Sequence, residues 1–162
     1  MLLLLMRHGI AAPLSDAIGD DFYRPLTQLG KKRTRAAALG LLRIAPSIDA
    51  IFSSPKTRAV QTARIVHKAA ENPPRITEWP ELMDDHFAAI QEKLQKISAE
   101  TVLLCGHEPH LSRLASQFLT GNPETLAFDW KKAGVCALQL ENDATSAIFL
   151  WHLTPKQLRE IA

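Results

Sequence analysis

Apolar positions along this chain follow two rhythms, one of strands and one of helices. Leu2 to Met6 is an unbroken apolar run of strand length that ends in Arg7-His8-Gly9, the pattern of a strand buried on both faces of a parallel sheet. After a polar stretch holding Asp16, Asp20 and Asp21, Thr27 offers a cap. Leu29, Ala36, Ala37, Leu41 and Ile44 then recur at helical intervals to about Ala45, where Pro46 stops the pattern. Ile48 to Phe52 predicts a second strand, closed by Ser53-Ser54-Pro55. Ser54 as cap and Pro55 at the first helical position predict a helix running to about Ala70.

The second half repeats the alternation. Arg75 to Trp79 predicts a weaker strand bounded by Pro73, Pro74 and Pro80. His86 to Ile97 predicts a helix through Ala89, Ile90, Leu94 and Ile97. Thr101 to Cys105 predicts a buried strand ending in Gly106-His107-Glu108-Pro109, and Leu111 to Leu119 the helix after it. Ala133 to Leu140 and Ala147 to His152 flank Glu141-Asn142-Asp143, a hairpin turn, and Pro155 to Ile161 closes the chain as a helix. Strands alternating with helices predict parallel βαβ units. The fold expected is α/β, a single-domain three-layer α/β/α sandwich with a mostly parallel sheet and an antiparallel strand near the C-terminus. No repeat, low-complexity segment or linker interrupts residues 1–162, which read as one domain.

Composition narrows the class. With 46% apolar and 22% charged residues the chain matches globular averages, which excludes a disordered tail, a fibre and a disulfide scaffold. Nineteen basic against seventeen acidic residues leave a net charge of +2, too small an excess for wholesale nucleic-acid binding. Only Lys31, Lys32, Arg33 and Arg35 cluster; they read as the solvated face of the first helix, with docking of an acidic partner as the alternative. Met1 to Met6 is far short of the roughly 20 residues that span a bilayer and lacks a signal peptide's positive leader and cleavage site, so no membrane partner is expected and a cytoplasmic location is. Cys105 and Cys136 sit in apolar stretches and read as buried free thiols.

Sites in open parallel sheets form at the carboxyl ends of strands. His8 and His107 each follow a buried strand and neighbour a glycine that permits close backbone approach. Arg58 falls in the first turn of the helix after the second strand, and helix N-termini and arginines both bind anions. Two histidines, Arg7, Arg58 and a helix N-terminus on one edge would make a phosphate site. One neutral imidazole can accept a phosphoryl group as nucleophile, while the arginines and a second, protonated histidine stabilise the equatorial oxygens. No metal is required for that. His107 and His110 with His86 or His152 lack the spacing of a zinc site, so neither metal nor cofactor is expected.

Arg7-His8-Gly9, Ser54-Pro55 with Arg58 and Gln61-Thr62-Ala63, and Gly106-His107, in this order from residue 2 to about 112, resemble the signature of the histidine phosphatase superfamily, which includes cofactor-dependent phosphoglycerate mutases. Arg24-Pro25-Leu26-Thr27 with Leu29-Gly30, and the short chain, are most similar to the SixA branch, whose members dephosphorylate phosphohistidine. The resemblance implies that residues 1–162 form one catalytic domain and that His8 is the residue phosphorylated. Arg7, Arg58 and His107 would form the phosphate pocket, Arg24 would contact phosphate or substrate, and Gly9 and Ser54 would help bind substrate.

The family's acidic residue falls at Asp84, after Pro80-Glu81-Leu82-Met83, with Asp85 and Glu81 as alternatives. An imidazole leaving group asks less of that acid than an alkoxide does. Only the 22 residues from Trp79 to Glu100 separate the third and fourth strands, where larger relatives insert a cap, so a shallow site open to a protein surface is expected. The function expected is a metal-independent phosphatase acting on a phosphohistidine-bearing protein, for example a phosphotransfer protein in signal transduction, with inorganic phosphate as product. The alternatives are a small-molecule phosphomonoesterase, a mutase-like enzyme, or a non-catalytic phospho-ligand binding module.

Overall fold

The computed structural model describes residues 1–141 and 144–162. Six strands, β1 (Leu2–Arg7), β2 (Ala50–Ser53), β3 (Ile76–Glu78), β4 (Thr101–Gly106), β5 (Val135–Leu140) and β6 (Ala147–Leu153), form one sheet in the order β3-β2-β4-β1-β5-β6. β1 to β4 are mutually parallel, and β5 runs antiparallel to both β1 and β6. The helices are α1 (Gln28–Ile44), α2 (Thr57–Ala69), α3 (Phe87–Gln95), α4 (His110–Thr120) and α5 (Pro155–Ile161).

Strand alternation divides the interior. Leu4 and Met6 of β1 face a core with α1, α2 and α5, while Leu3 and Leu5 face a second core with α3 and α4. This is the expected α/β/α layering. The crossover from β1 to β2 lies on one face and that from β4 to β5 on the other. β1 and β4 are neighbours, so the chain's winding reverses between them, and a crevice opens beyond their carboxyl ends.

Several elements differ at their ends from the sequence expectation. α2 starts at Thr57, with Lys56 as an N-cap that offers no side-chain bond, instead of starting at Pro55 under a Ser54 cap. Ser54 still pairs in strand fashion, its N–H donating to the Cys105 carbonyl at 2.9 Å, and its hydroxyl is engaged elsewhere. β5 starts at Val135 because Ala133, at φ 65°, and Gly134 turn the chain first. Two short 3-10 turns, Asp21–Tyr23 and Pro80–Met83, carry no periodicity that the sequence reading could use. β5 and β6 form the expected hairpin; Asn142 and Asp143 of its expected turn lie outside the described residues. Thr27 caps α1 as expected, accepting from Gly30 N–H at 2.9 Å, and Cys105 and Cys136 are buried free thiols.

Gly40 lies inside α1, where alanine ordinarily favours the helix by about 1 kcal/mol. Here a Cβ would stand 1.8 Å from the Leu158 carbonyl oxygen of α5, a backbone atom that cannot rotate away. Gly40→Ala should therefore destabilise the protein by about 1–3 kcal/mol in urea unfolding; a gain in stability would mean that α1 and α5 are packed less closely.

Candidate active site

β1 and β4 pair with Arg7 opposite Gly106, so the next residue of each, His8 and His107, leaves the sheet side by side. Their ring centroids are 5.2 Å apart and tilted by 51°, and both residues are buried. His8 Nδ1 lies 2.7 Å from the Gly9 carbonyl oxygen. A carbonyl only accepts, so Nδ1 carries the proton and Nε2 keeps a lone pair. That lone pair accepts Nε–H of Arg58 at 3.3 Å.

Arg58, in the first turn of α2, sits where the helix dipole disfavours a cation, and its guanidinium is buried. Its compensation comes from Asp21. Arg58 donates to the Asp21 carbonyl at 2.7 Å and to its carboxylate at 2.9 Å. Arg24 donates to the same carboxylate at 2.8 Å and to the Ala12 carbonyl at 2.7 Å, and Lys56 Nζ stands 3.4 Å away. Arg24 and then Arg58 hold the Asp21 carboxyl well below the usual carboxylate range. Asp21 was passed over in the sequence as one acid among three; its only local signal is the i,i+3 spacing to Arg24.

Gln61 and Thr62 of α2 bind this loop to the helix. Gly9 N–H donates to Thr62 Oγ1 at 3.0 Å, Thr62 donates to the Arg58 carbonyl at 2.8 Å, and Leu26 N–H donates to Gln61 Oε1 at 2.7 Å. A Cβ on Gly9 would meet Thr34 Oγ1 at 2.2 Å, so no side chain fits there. Ser54 Oγ lies 2.8 Å from His107 Nε2. Arg7 donates through Nη1 to the Trp130 carbonyl. Arg7 Nε and His107 Nδ1 are buried without a hydrogen-bond partner among the described residues.

Arg7, His8, Gly9, Arg24, Ser54, Arg58 and His107 thus converge at one sheet edge, linked by shared hydrogen bonds or by charge. The three acidic candidates do not share these bonds. Asp84 is exposed, with no hydrogen bond or ion pair to a described residue; Asp85 holds His110 Nδ1 at 2.7 Å and also Arg113; Glu81 pairs with Lys93 at 2.7 Å. Glu108, beside His107, is a further acid; burial raises its pKa while Ser112 N–H donates to it at 3.1 Å. Among the described residues no group of three or more His, Cys, Asp or Glu is placed to hold a metal ion, and no helix is long and apolar enough to cross a membrane.

Burial, with Arg58 nearby, lowers the pKa of His8 to about 3. Burial, then the charges of His8 and Arg58, lowers that of His107 to about 2. With no anion bound, burial thus favours the neutral form of His107. The arrangement offers one oriented imidazole lone pair beside fixed cationic and neutral hydrogen-bond donors.

The family model of the histidine phosphatase superfamily (branch 1) matches residues 3–97. The chain belongs to the histidine phosphatase superfamily. An uncharacterised relative from Picosynechococcus sp. is 33% identical over 142 residues, 86% of this chain and 85% of the relative. The solved structure of the protein histidine phosphatase SixA complexed with tungstate matches with a TM-score of 0.82 at 26% identity, covering 98% of this chain and 99% of that one. The alpha-ribazole phosphatase of Shigella flexneri, with a TM-score of 0.68 at 18% identity over 96% and 97% of the two chains, shares the fold. The match to the SixA structure spans nearly all of both chains.

The buried imidazoles make stability depend on pH with a definite sign. Both folded pKa values lie below the unfolded value of about 6.5, so the unfolded chain binds more protons between pH 6.5 and 3. Stability is then full above about pH 6.5 and falls with acidification. Urea unfolding should show a loss of about 2–4 kcal/mol from pH 7 to pH 5. A flat profile would mean that the two rings are solvated.

Proposed function

We propose that this chain is a phosphohistidine phosphatase: a single catalytic domain, acting in the cytoplasm, that removes phosphate from a phosphohistidine-bearing protein through a phosphohistidine at His8. The carrying observation is the His8 ring, whose Nδ1–H is fixed on the Gly9 carbonyl while Nε2 presents its lone pair beside Arg58. In the first step Nε2 forms a bond to phosphorus as the bond from phosphorus to the substrate's imidazole nitrogen breaks; that nitrogen keeps the bonding electron pair, while the ring's other nitrogen retains the proton it already carried, so a neutral imidazole leaves. In the second, water attacks phosphorus, the bond to His8 Nε2 breaks, and inorganic phosphate departs.

Each neighbouring group fits this chemistry. Arg7 Nε and His107 Nδ1 lack partners, and phosphate oxygens are the acceptors such donors require. A dianion between them reverses the local field, raising the pKa of His107 so that it protonates against the transferring group. Arg24 and Arg58 already grip a carboxylate, an anion chemically close to phosphate. Gly9 keeps the loop against Thr34, and Ser54 orients His107. The acid position stays with Asp84, which is exposed and makes no hydrogen bond or ion pair to a described residue, and an imidazole that keeps a proton on its other nitrogen leaves without strong help from it.

The segment between β3 and β4 supports this choice of substrate. It holds only the 3-10 turn Pro80–Met83 and α3, which supplies no lid to close over a small ester. Binding energy then comes from contacts outside the phosphate pocket, which a protein can offer and a phosphoglycerate cannot.

His8→Ala should reduce turnover by several orders of magnitude and abolish the acid-labile, alkali-stable label; label persisting on the variant would place the nucleophile elsewhere. Arg58→Ala should cost on the order of 10²–10⁴ in rate. Measured side by side, kcat/KM for a phosphohistidine protein should exceed that for phosphoglycerates by at least about 100-fold. A preference for the small ester would favour the phosphomonoesterase reading.

A further inference from the structure

The basic run at the start of α1 has no part in the chemistry above, and folding divides it between two grooves. Lys31, Lys32 and Arg35 line a groove of about 690 Å3 between α1 and α2, with Arg64 and Lys68 opposite and Leu39 and Ile65 exposed to the same space. None of these five cations forms an ion pair with a described residue. On the other flank of α1, a groove of about 670 Å3 carries Arg33, Lys132 and Arg159, unpaired in the same sense, and reaches Arg7 of the site. Positive charge therefore extends from the helix surface to the phosphate pocket, although the chain's net charge is only +2.

Like charges held across a groove repel one another, and no acidic side chain among the described residues lines this one. The complementary ligand is an extended anion. Lys31 and Arg35 are separated by about 6 Å along the helix axis, as are Arg64 and Lys68, so one phosphate group cannot satisfy the set. The lining favours a protein over a nucleic acid, because Leu39 and Ile65 stand among the cations. The segment between β1 and α1 and the first turn of α1 expose Leu14 at 56%, Tyr23 at 63% and Leu29 at 50%. Apolar side chains beside cations suit a protein contact, whereas single-stranded nucleic acid calls for rows of aromatic side chains.

We propose that the α1–α2 face docks carboxylates flanking the phosphohistidine of the substrate protein, and so selects which phosphohistidines reach His8. This rests on the phosphohistidine reading and adds to it a specificity surface whose residues never touch the phosphate. Exposed charge pairs of this kind act mainly on encounter and are screened by salt.

The test uses two synthetic peptides, one with glutamates around a central histidine and one with glutamines there. Fluorescence anisotropy reads binding of the unphosphorylated forms, and phosphate release reads turnover of phosphoramidate-treated forms. The wild-type protein should bind the glutamate peptide at least about tenfold more tightly at low salt, and about 0.5 M NaCl should abolish the difference. Lys31→Glu/Arg35→Glu/Lys68→Glu should abolish it too, while hydrolysing p-nitrophenyl phosphate within about twofold of the wild-type rate. The neutral variant Lys31→Gln/Arg35→Gln/Lys68→Gln should show an intermediate loss. Equal binding of both peptides by the wild-type protein, or an undiminished preference in the charge-reversed variant, would overturn the proposal. So would tighter binding of a single-stranded oligonucleotide of matched charge. Preferential glutamate binding without turnover of either phosphopeptide, while p-nitrophenyl phosphate is cleaved, would leave the docking face standing and remove the phosphohistidine reading.

Discussion

The parallel register of β1 against β4 is the constraint on which the site depends. With Arg7 opposite Gly106, the His8 N–H donates to the Gly106 carbonyl at 3.0 Å, and two histidines 99 positions apart in sequence become neighbours. Burial on both faces locks this register, because a shift of one residue would exchange Leu3 and Leu5 with Leu4 and Met6 between the two cores. Each of these side chains contributes about 1.5–3 kcal/mol when buried. The precision of the polar edge is thus inherited from the apolar interior beneath it.

On that frame, the electrostatics of the edge centre on Arg58. A buried guanidinium without a partner costs several kcal/mol, and Asp21 supplies both a carbonyl and a carboxylate oxygen to it. The same pairing holds the Arg58 Nε–H on the lone pair of His8. Because the Asp21 side chain is partly exposed, its ion pairs are screened by water and individually weak. Their role is geometric: the carboxylate aligns Arg24, Lys56 and Arg58 on one point.

Around His8 the fold gathers the Arg58 guanidinium and the His107 ring. The crossover between β3 and β4 holds only the 3-10 turn Pro80–Met83 and α3. α1 carries cations on both flanks, and Leu39 and Ile65 line the groove it forms with α2.

How much of this was legible in the sequence follows from the range of the forces involved. Continuous apolar runs at Leu2–Met6 and Thr101–Cys105, helical spacing after Thr27, and histidines placed directly after strands are local patterns, and they determined the α/β layering and the approximate location of the site. The position of Asp21 was not legible, because its meaning comes from Arg58, 37 residues away. Ser54 looked like a cap by local propensity, but the β2–β4 ladder and the His107 ring claimed it. The charge state of His107 likewise depends on burial and on neighbours remote in sequence. The sequence by itself determined which elements form and which chemical groups stand at their ends. Only the tertiary structure decided which groups share a proton, an ion pair or a groove, because such contacts act over a few ångströms in space between residues far apart along the chain.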